Sequence, residues 1–141
     1  SVPVVGAVVG IINAKLDPVD GNMTGGSISL DTPVYRAAST KQYVLVADSP
    51  DLIFEAEADA AVAYATVGLN ADIGASAHTN PLLTGASPMY VYSTTAPSAS
   101  ATRPLQIVGI VKRPDNEANA AYNKVLVKIT THAYGNAVAG V

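Results

Sequence analysis

Two stretches of this chain share one grammar: strand-forming residues, a turn built on Pro-Asp, and more strand-forming residues. Lys41–Glu57 reads Lys-Gln-Tyr-Val-Leu-Val-Ala-Asp-Ser-Pro-Asp-Leu-Ile-Phe-Glu-Ala-Glu. Further on, Leu-Gln-Ile-Val-Gly-Ile-Val-Lys-Arg-Pro-Asp-Asn-Glu runs from Leu105 to Glu117, and Asn-Lys-Val-Leu-Val-Lys-Ile-Thr-Thr-His from Asn123 to His132. β-branched and aromatic residues fit a pleated, half-buried surface. Proline presets its own φ for the second position of a turn, and aspartate caps turn backbone. Chains written this way fold as all-β domains, here a small barrel or sandwich with long loops and an extended N-terminal arm. Neither stretch holds a nucleophile–base pair or a metal-ligand cluster. That favours a chain whose work is to present a surface, and no enzyme is expected.

At 141 residues the length suggests one domain. We read 1–35 as an N-terminal arm with the first strands, and 36–141 as a β domain continuous with it. Val4–Ile12 reads as a buried strand or extended arm with glycines that allow close backbone approach. Asp17–Asn22 is dense in turn formers, Gly25-Gly26-Ser27 follows, and Ile28–Thr32 alternates like a half-exposed strand. Tyr43–Ala47 and Leu52–Glu57 flank the Asp48-Ser49-Pro50-Asp51 turn. Phe54, Ala56 and Ala58 alternate with Glu55, Glu57 and Asp59, so the acids are expected to face water or a partner. The Ala-rich run after Asp59 has the option of a helical turn. Residues 66–102 read as loop-rich: Val67–Ile73 and Thr84–Ser87 sit among Ser, Thr, Asn and Pro. Ser93–Thr102 approaches low complexity and reads as a solvated linker, with Met89–Ser93 as a short strand inside the region. Leu105–Val111 and Val125–Thr131 are the clearest strands, and the connector Lys112–Asn119 is long enough to project as a loop.

Composition narrows the partners. Hydrophobic residues make up 49 % of the chain and charged residues 13 %, about half the roughly 25 % usual for soluble domains. A sparsely charged surface is a solubility liability for a monomer, and it makes sense where copies or a larger partner cover it. A net charge of -3 argues against binding a phosphate backbone. With no cysteine, disulfides, thiolate catalysis and Cys-ligated zinc are excluded. The apolar start at Val2–Ile12 is too short to span a bilayer and is broken by Pro3, Gly6 and Gly10, so no membrane partner is expected. It lacks a basic n-region, and a start at Ser1 leads us to expect a removed initiator or leader.

Several residues invite a chemical reading. Asp48, Asp51, Glu55 and Glu57 resemble part of a cation site. A hard cation wants several oxygens from one compact loop, though, and Asp-x-x-Asp beside a strand supplies only part of that set. A capping Asp with solvated strand acids is the simpler account. The same holds for Asp115-Asn116-Glu117, and neither metal nor cofactor is expected. His78 and His132 are the two imidazoles. No Gly-x-Ser-x-Gly elbow accompanies them; His132 ends a strand and is expected to hydrogen-bond locally, while His78 lies in a loop with Asn80. Arg103, Lys112, Arg113, Lys124 and Lys128 face two readings, scattered solvation or charge complementarity with a neighbouring subunit or shell. With one Phe and no Trp, the seven tyrosines are the large anchors; core filling is expected for most of them.

The motif order resembles a family of small structural proteins of tailed bacteriophages, the capsid cement or head-decoration proteins. The similarity is carried by Tyr-Val-x-x-Asp-x-Pro-Asp-x-x-Phe-Glu from Tyr43 to Glu55, Gly68-Leu69-Asn70-Ala71-Asp72, and Thr84-Gly85-Ala86-Ser87. It closes with a run from Pro104 to His132 that includes Pro114-Asp115-Asn116-Glu117. The five matches fall in order across roughly residues 41 to 134; the first 35 residues match loosely. The resemblance implies a mostly β protein on the outer surface of the virion capsid. There it would bind the major capsid protein between capsomers, as a trimer by preference or a dimer. Candidate contacts are Tyr43, Asp48, Asp51 and Glu55 on the first unit, Tyr90 and Tyr92, and Arg103, Lys112, Arg113 and Asp115 near the second. The alternative is a virion surface module for a host receptor or glycan, with Tyr90 and Tyr92 as the aromatic platform. A hydrolase using His78 or His132 is the third reading.

Overall fold

The computed structural model describes residues 3–12, 15–16, 23–24, 43–75, 88–135 and 140. The turn expected at Asp17–Asn22, the strand at Ile28–Thr32, the Thr84–Ser87 segment and His78 lie outside the described residues. Among the described residues nine strands follow one another: β1 (Ala7–Ile12), β2 (Lys15–Leu16), β3 (Met23–Thr24), β4 (Tyr43–Ala47), β5 (Ile53–Glu57), β6 (Asn70–Ala75), β7 (Met89–Tyr92), β8 (Leu105–Ile110) and β9 (Lys124–Ile129). A 3-10 turn at Tyr64–Thr66 is the only helical element among the described residues. The protein is all-β. No helix there is long and apolar enough to cross a membrane.

The chain divides into two compact units. The larger takes residues 1–6, 48–77 and 88–141, and is built on a five-stranded sheet in the order β5-β9-β8-β6-β7. Every neighbouring pair in that sheet is antiparallel. An odd number of alternating strands brings its two edges together in the same direction. The edges do meet that way: Ala58 bridges Val91 in parallel, and the Asp59 N–H donates to the Val91 carbonyl at 3.1 Å. The sheet is thereby curled into a half-barrel.

Alternation decides which face is inside. In β9, Val125, Val127 and Ile129 are buried between Lys124, Leu126 and Lys128. In β8, Leu105 and Ile107 point inward, and a bulge between Ile107 and Gly109 inserts Val108 as an extra residue. The bulge shifts the period by one and returns Ile110 to the core while bending the strand. With Ala58, Val62, Ala71 and Val91 these form a small aliphatic core, against which Val4 and Phe54 pack. No tyrosine among the described residues belongs to it, contrary to the expected core-filling role. Valine and isoleucine are the main residues of this core, and Phe54 is the aromatic residue packed against it.

The two Pro-Asp segments form the same turn. Leu52 N–H donates to the Ser49 carbonyl at 3.2 Å, and Asn116 N–H to the Arg113 carbonyl at 3.1 Å. Pro50 and Pro114 each occupy the second position, where the locked φ belongs. They connect different things, however. β8 and β9 pair with each other across the second turn's long connector, whereas β4 pairs with β1 and β5 with β9. The first turn therefore links strands of separate sheets.

The largest departure from expectation concerns residues 66–102. Asn70–Ala75 is strand β6, with Asn70 and Ala71 fully buried. It pairs with β8 through Asn70 and Ala71, then with β7 from Asp72 to Ala75. Polar and small residues hid it, because a strand hydrogen-bonded on both sides needs no branched side chain to be held. Ser93–Thr102 is largely exposed, as a solvated segment would be, yet it is tied to β6: Asn70 and Ser98 exchange backbone hydrogen bonds at 2.8 and 2.9 Å, and Asn70 Nδ2 donates to the Ser100 carbonyl at 3.0 Å. The helical option after Asp59 resolves to the single 3-10 turn, closed by Gly68 at φ 94, a conformation glycine adopts without a Cβ penalty.

The smaller unit takes residues 7–47 and 78–87. It contains the β1–β4 ribbon and the two-residue β2–β3 pair, both antiparallel. The ribbon joins residues on either side of position 35.

Candidate functional site

The feature of the smaller unit that constrains function is what the β1–β4 ribbon exposes. Tyr43, Val44, Leu45 and Val46 are consecutive, and each is between 36 and 40 % exposed. Because successive strand side chains point to opposite faces, both faces of the ribbon carry apolar surface. On β1, Val8 and Val9 are about half exposed, at 49 and 52 %. A register shift between Val8 and Gly10 sets Val9 out of the ladder, and a Cβ at Gly10 would press on Leu45 Cδ1 at 3.2 Å, so glycine there lets the strands close. Neither β1 nor β4 contains a charged residue. A two-stranded ribbon is marginal in water by itself, and contiguous exposed apolar surface marks an interaction site.

The charged candidates of the larger unit are mostly occupied within the chain. Asp51 accepts from Lys128 Nζ at 2.9 Å; that hydrogen bond and the lysine charge hold its carboxyl below the usual range. Glu55 on β5 pairs with Arg113 on the connector between β8 and β9. Arg103 lies 3.5 Å from Asp72 through Nε and donates from its guanidinium to the Ala96 carbonyl at 2.7 Å. Glu55 and Glu57 are exposed, as expected of the strand acids, and the ion pairs form at that surface, where sheet curling brings opposite charges from distant positions side by side. Exposed pairs of this kind are screened by solvent and add little to stability, so they set register more than stability. Asp48 was expected to cap its turn; it is exposed and caps nothing among the described residues. Lys112 and Asp115 are exposed on the β8–β9 connector.

Tyr90 and Tyr92 do not form an open platform. Both are half-buried, their rings 6.2 Å apart and tilted 45°. Tyr90 lies over its cross-strand partner Gly74, where a Cβ would overlap the ring. Among the described residues, the tyrosines most open to solvent are instead Tyr64, Tyr122 and Tyr134.

Asp59 is the acid that sequence reasoning misplaced. Rather than facing water, its carboxylate accepts from Ser93 N–H (2.6 Å), Ser93 Oγ (2.8 Å), Thr94 N–H (3.1 Å) and Thr94 Oγ1 (2.8 Å). Burial alone would raise its pKa, but those four donors outweigh it and hold the carboxyl below its usual value. The network ties the end of β5 to the end of β7. An Asp two residues beyond a strand, with Ser-Thr directly after another, was the signal available in the sequence.

His132 is buried, and its Nδ1 accepts the Tyr134 N–H at 3.0 Å. That contact is the local hydrogen bond expected of it. Its Nε2 is buried without a hydrogen-bond partner among the described residues. The ring contributes to the wall of a cleft of about 360 Å³ with Pro50, Asp51, Gln106, Lys128 and Thr130. No group of three or more His, Asp or Glu side chains among the described residues is arranged to hold a metal ion. No family model matches the chain, and no curated protein and no solved structure matches it.

Proposed function

We propose that this chain is a structural component of a tailed-phage head, a cement protein that binds the outer surface of the shell between capsomers. The observation that carries the reading is the uncharged β1–β4 ribbon with apolar side chains exposed on both faces. The ordered motifs from Tyr43 to His132 supply the family it resembles, and the low charge fraction supports a surface meant to be covered. Burying apolar area is worth about 25 cal/mol per Å², so each copy adds a modest contact to the major capsid protein or to its own neighbours. Symmetric repetition, with a trimer favoured at local three-fold positions, then makes opening the shell break many such contacts at once.

Quantitative mass spectrometry of purified particles, referenced to the major capsid protein, is the direct test. Copies in proportion to capsomer number are expected. A handful per particle, or none, removes the shell-covering role. Heads lacking the protein should also open at lower temperature and lower salt than complete heads.

A further inference from the structure

The five-stranded sheet closes on itself at one seam, and that seam is built unlike the joints inside the sheet. β5 pairs with β9 along Ile53–Glu57, β8 with β9 along Leu105–Ile110, and β6 with β7 along Asp72–Ala75. The shorter β6–β8 joint is continued by backbone bonds from Gly68 N–H to the Ile107 carbonyl at 2.8 Å and from Ile107 N–H to the Leu69 carbonyl at 3.0 Å. Between β5 and β7, among the described residues, stand one parallel bridge, Ala58 to Val91, and the bond from Asp59 N–H to the Val91 carbonyl.

What the backbone lacks there, one carboxylate supplies. Asp59 Oδ1 accepts from the N–H and hydroxyl of Ser93 and from Thr94 N–H, and Oδ2 accepts from the Thr94 hydroxyl. Ser93 Oγ in turn accepts from Ala60 N–H at 3.1 Å. An ionised acceptor makes stronger hydrogen bonds than a neutral one, so most of the polar binding across the seam passes through a single side chain. The bridge residues Ala58 and Val91 are buried but small. The seam therefore returns less hydrophobic free energy than the β8–β9 joint, where Ile107 faces Val127 and Ile110 faces Val125.

We propose that the half-barrel opens locally at the β5–β7 seam, with Asp59 as the clasp that holds it shut, while β8 and β9 stay paired. Stability is uneven across a fold, and joints with few apolar contacts and few backbone bonds open first. Release bares Ala58 and Val91 and unpairs the backbone beside them, so the closed clasp keeps a strand edge and an apolar strip from solvent. The inference goes beyond the shell-binding role and does not depend on it.

Native-state amide exchange on the purified full chain, in low denaturant, reads the joints separately. The seam is followed at Asp59 N–H and Ser93 N–H, which cross it in opposite directions, and the sheet interior at Ile107 N–H. The two seam amides should share one opening free energy and a shallow denaturant slope, with openings roughly tenfold or more as frequent as the steep, global event that releases Ile107. Asp59→Asn should raise Ser93 exchange by about tenfold, because its N–H and hydroxyl lose a charged acceptor. The chain has no cysteine, so Val91→Cys supplies one buried thiol as a second readout. It should be alkylated faster, and with a shallower denaturant slope, than the thiol of Val127→Cys. Different opening free energies for Asp59 and Ser93, a single free energy and slope for the seam amides and Ile107, Ser93 exchange unchanged by Asp59→Asn, or equal alkylation of the two thiols would overturn the proposal. Each outcome is independent of copy number in particles.

Discussion

Asp59 shows how one side chain closes this fold. It accepts four hydrogen bonds from Ser93 and Thr94, 34 and 35 residues away along the chain. Its pKa is lowered on folding from an ordinary 3.8. A depressed carboxylate contributes stability that is fully present above the unfolded pKa and is lost as pH falls through the folded one. The wild type should therefore lose stability progressively below about pH 4, and Asp59→Asn should flatten that part of the profile. At neutral pH the same substitution leaves Ser93 and Thr94 donors facing an amide, at a cost of about 1–3 kcal/mol. Thermal melts between pH 2 and 7 on both proteins check both statements; parallel profiles would show that Asp59 carries none of the acid sensitivity.

At the scale of elements, curvature is set by a few small departures from regularity. The β8 bulge keeps both Ile107 and Ile110 in the core, and deleting Val108 would turn one end of the strand inside out. Gly74 in β6 admits the Tyr90 ring across the strand pair. Gly74→Val should displace that ring and cost about 1–3 kcal/mol by overpacking, read as a lower denaturation midpoint with an unchanged slope. Asn116 joins β8 to β9 with three hydrogen bonds, to the Val111 carbonyl and to both the carbonyl and N–H of Lys124. Asn116→Ala leaves the Val111 carbonyl and the Lys124 N–H without that partner, while the Lys124 carbonyl keeps the Val111 N–H; it should destabilise by about 1–3 kcal/mol, visible as faster amide exchange at Lys124.

For the molecule as a whole, the β1–β4 ribbon and the half-barrel core answer to different selective demands. Ile107 is fully buried, and its replacement by alanine should cost about 2–5 kcal/mol of folding stability. Val44 and Val46 are exposed in the ribbon, so Val44→Lys with Val46→Lys should leave the melting temperature of the half-barrel nearly unchanged. On the shell-binding reading the same pair of lysines abolishes co-sedimentation with heads. Retained co-sedimentation would take the ribbon out of the contact and leave the apolar stripe without that role.

What the sequence determined by itself is local: the all-β class, the two Pro-Asp turns, β5 with its alternating faces, β7, β8 and β9. Each rests on side-chain periodicity or a locked φ, which act within a few residues. Tertiary structure decided the rest. Strand β6 escaped notice because Asn70 and Ala71 are held by neighbours more than 25 residues away in sequence. The acids and cations found their partners only when the sheet curled, since Asp51 meets Lys128 and Glu55 meets Arg113 across separations of 77 and 58 residues. Which tyrosines face water also followed from closure. The described tyrosines lie outside the valine- and isoleucine-rich core, half-buried or exposed, and no local pattern records that outcome.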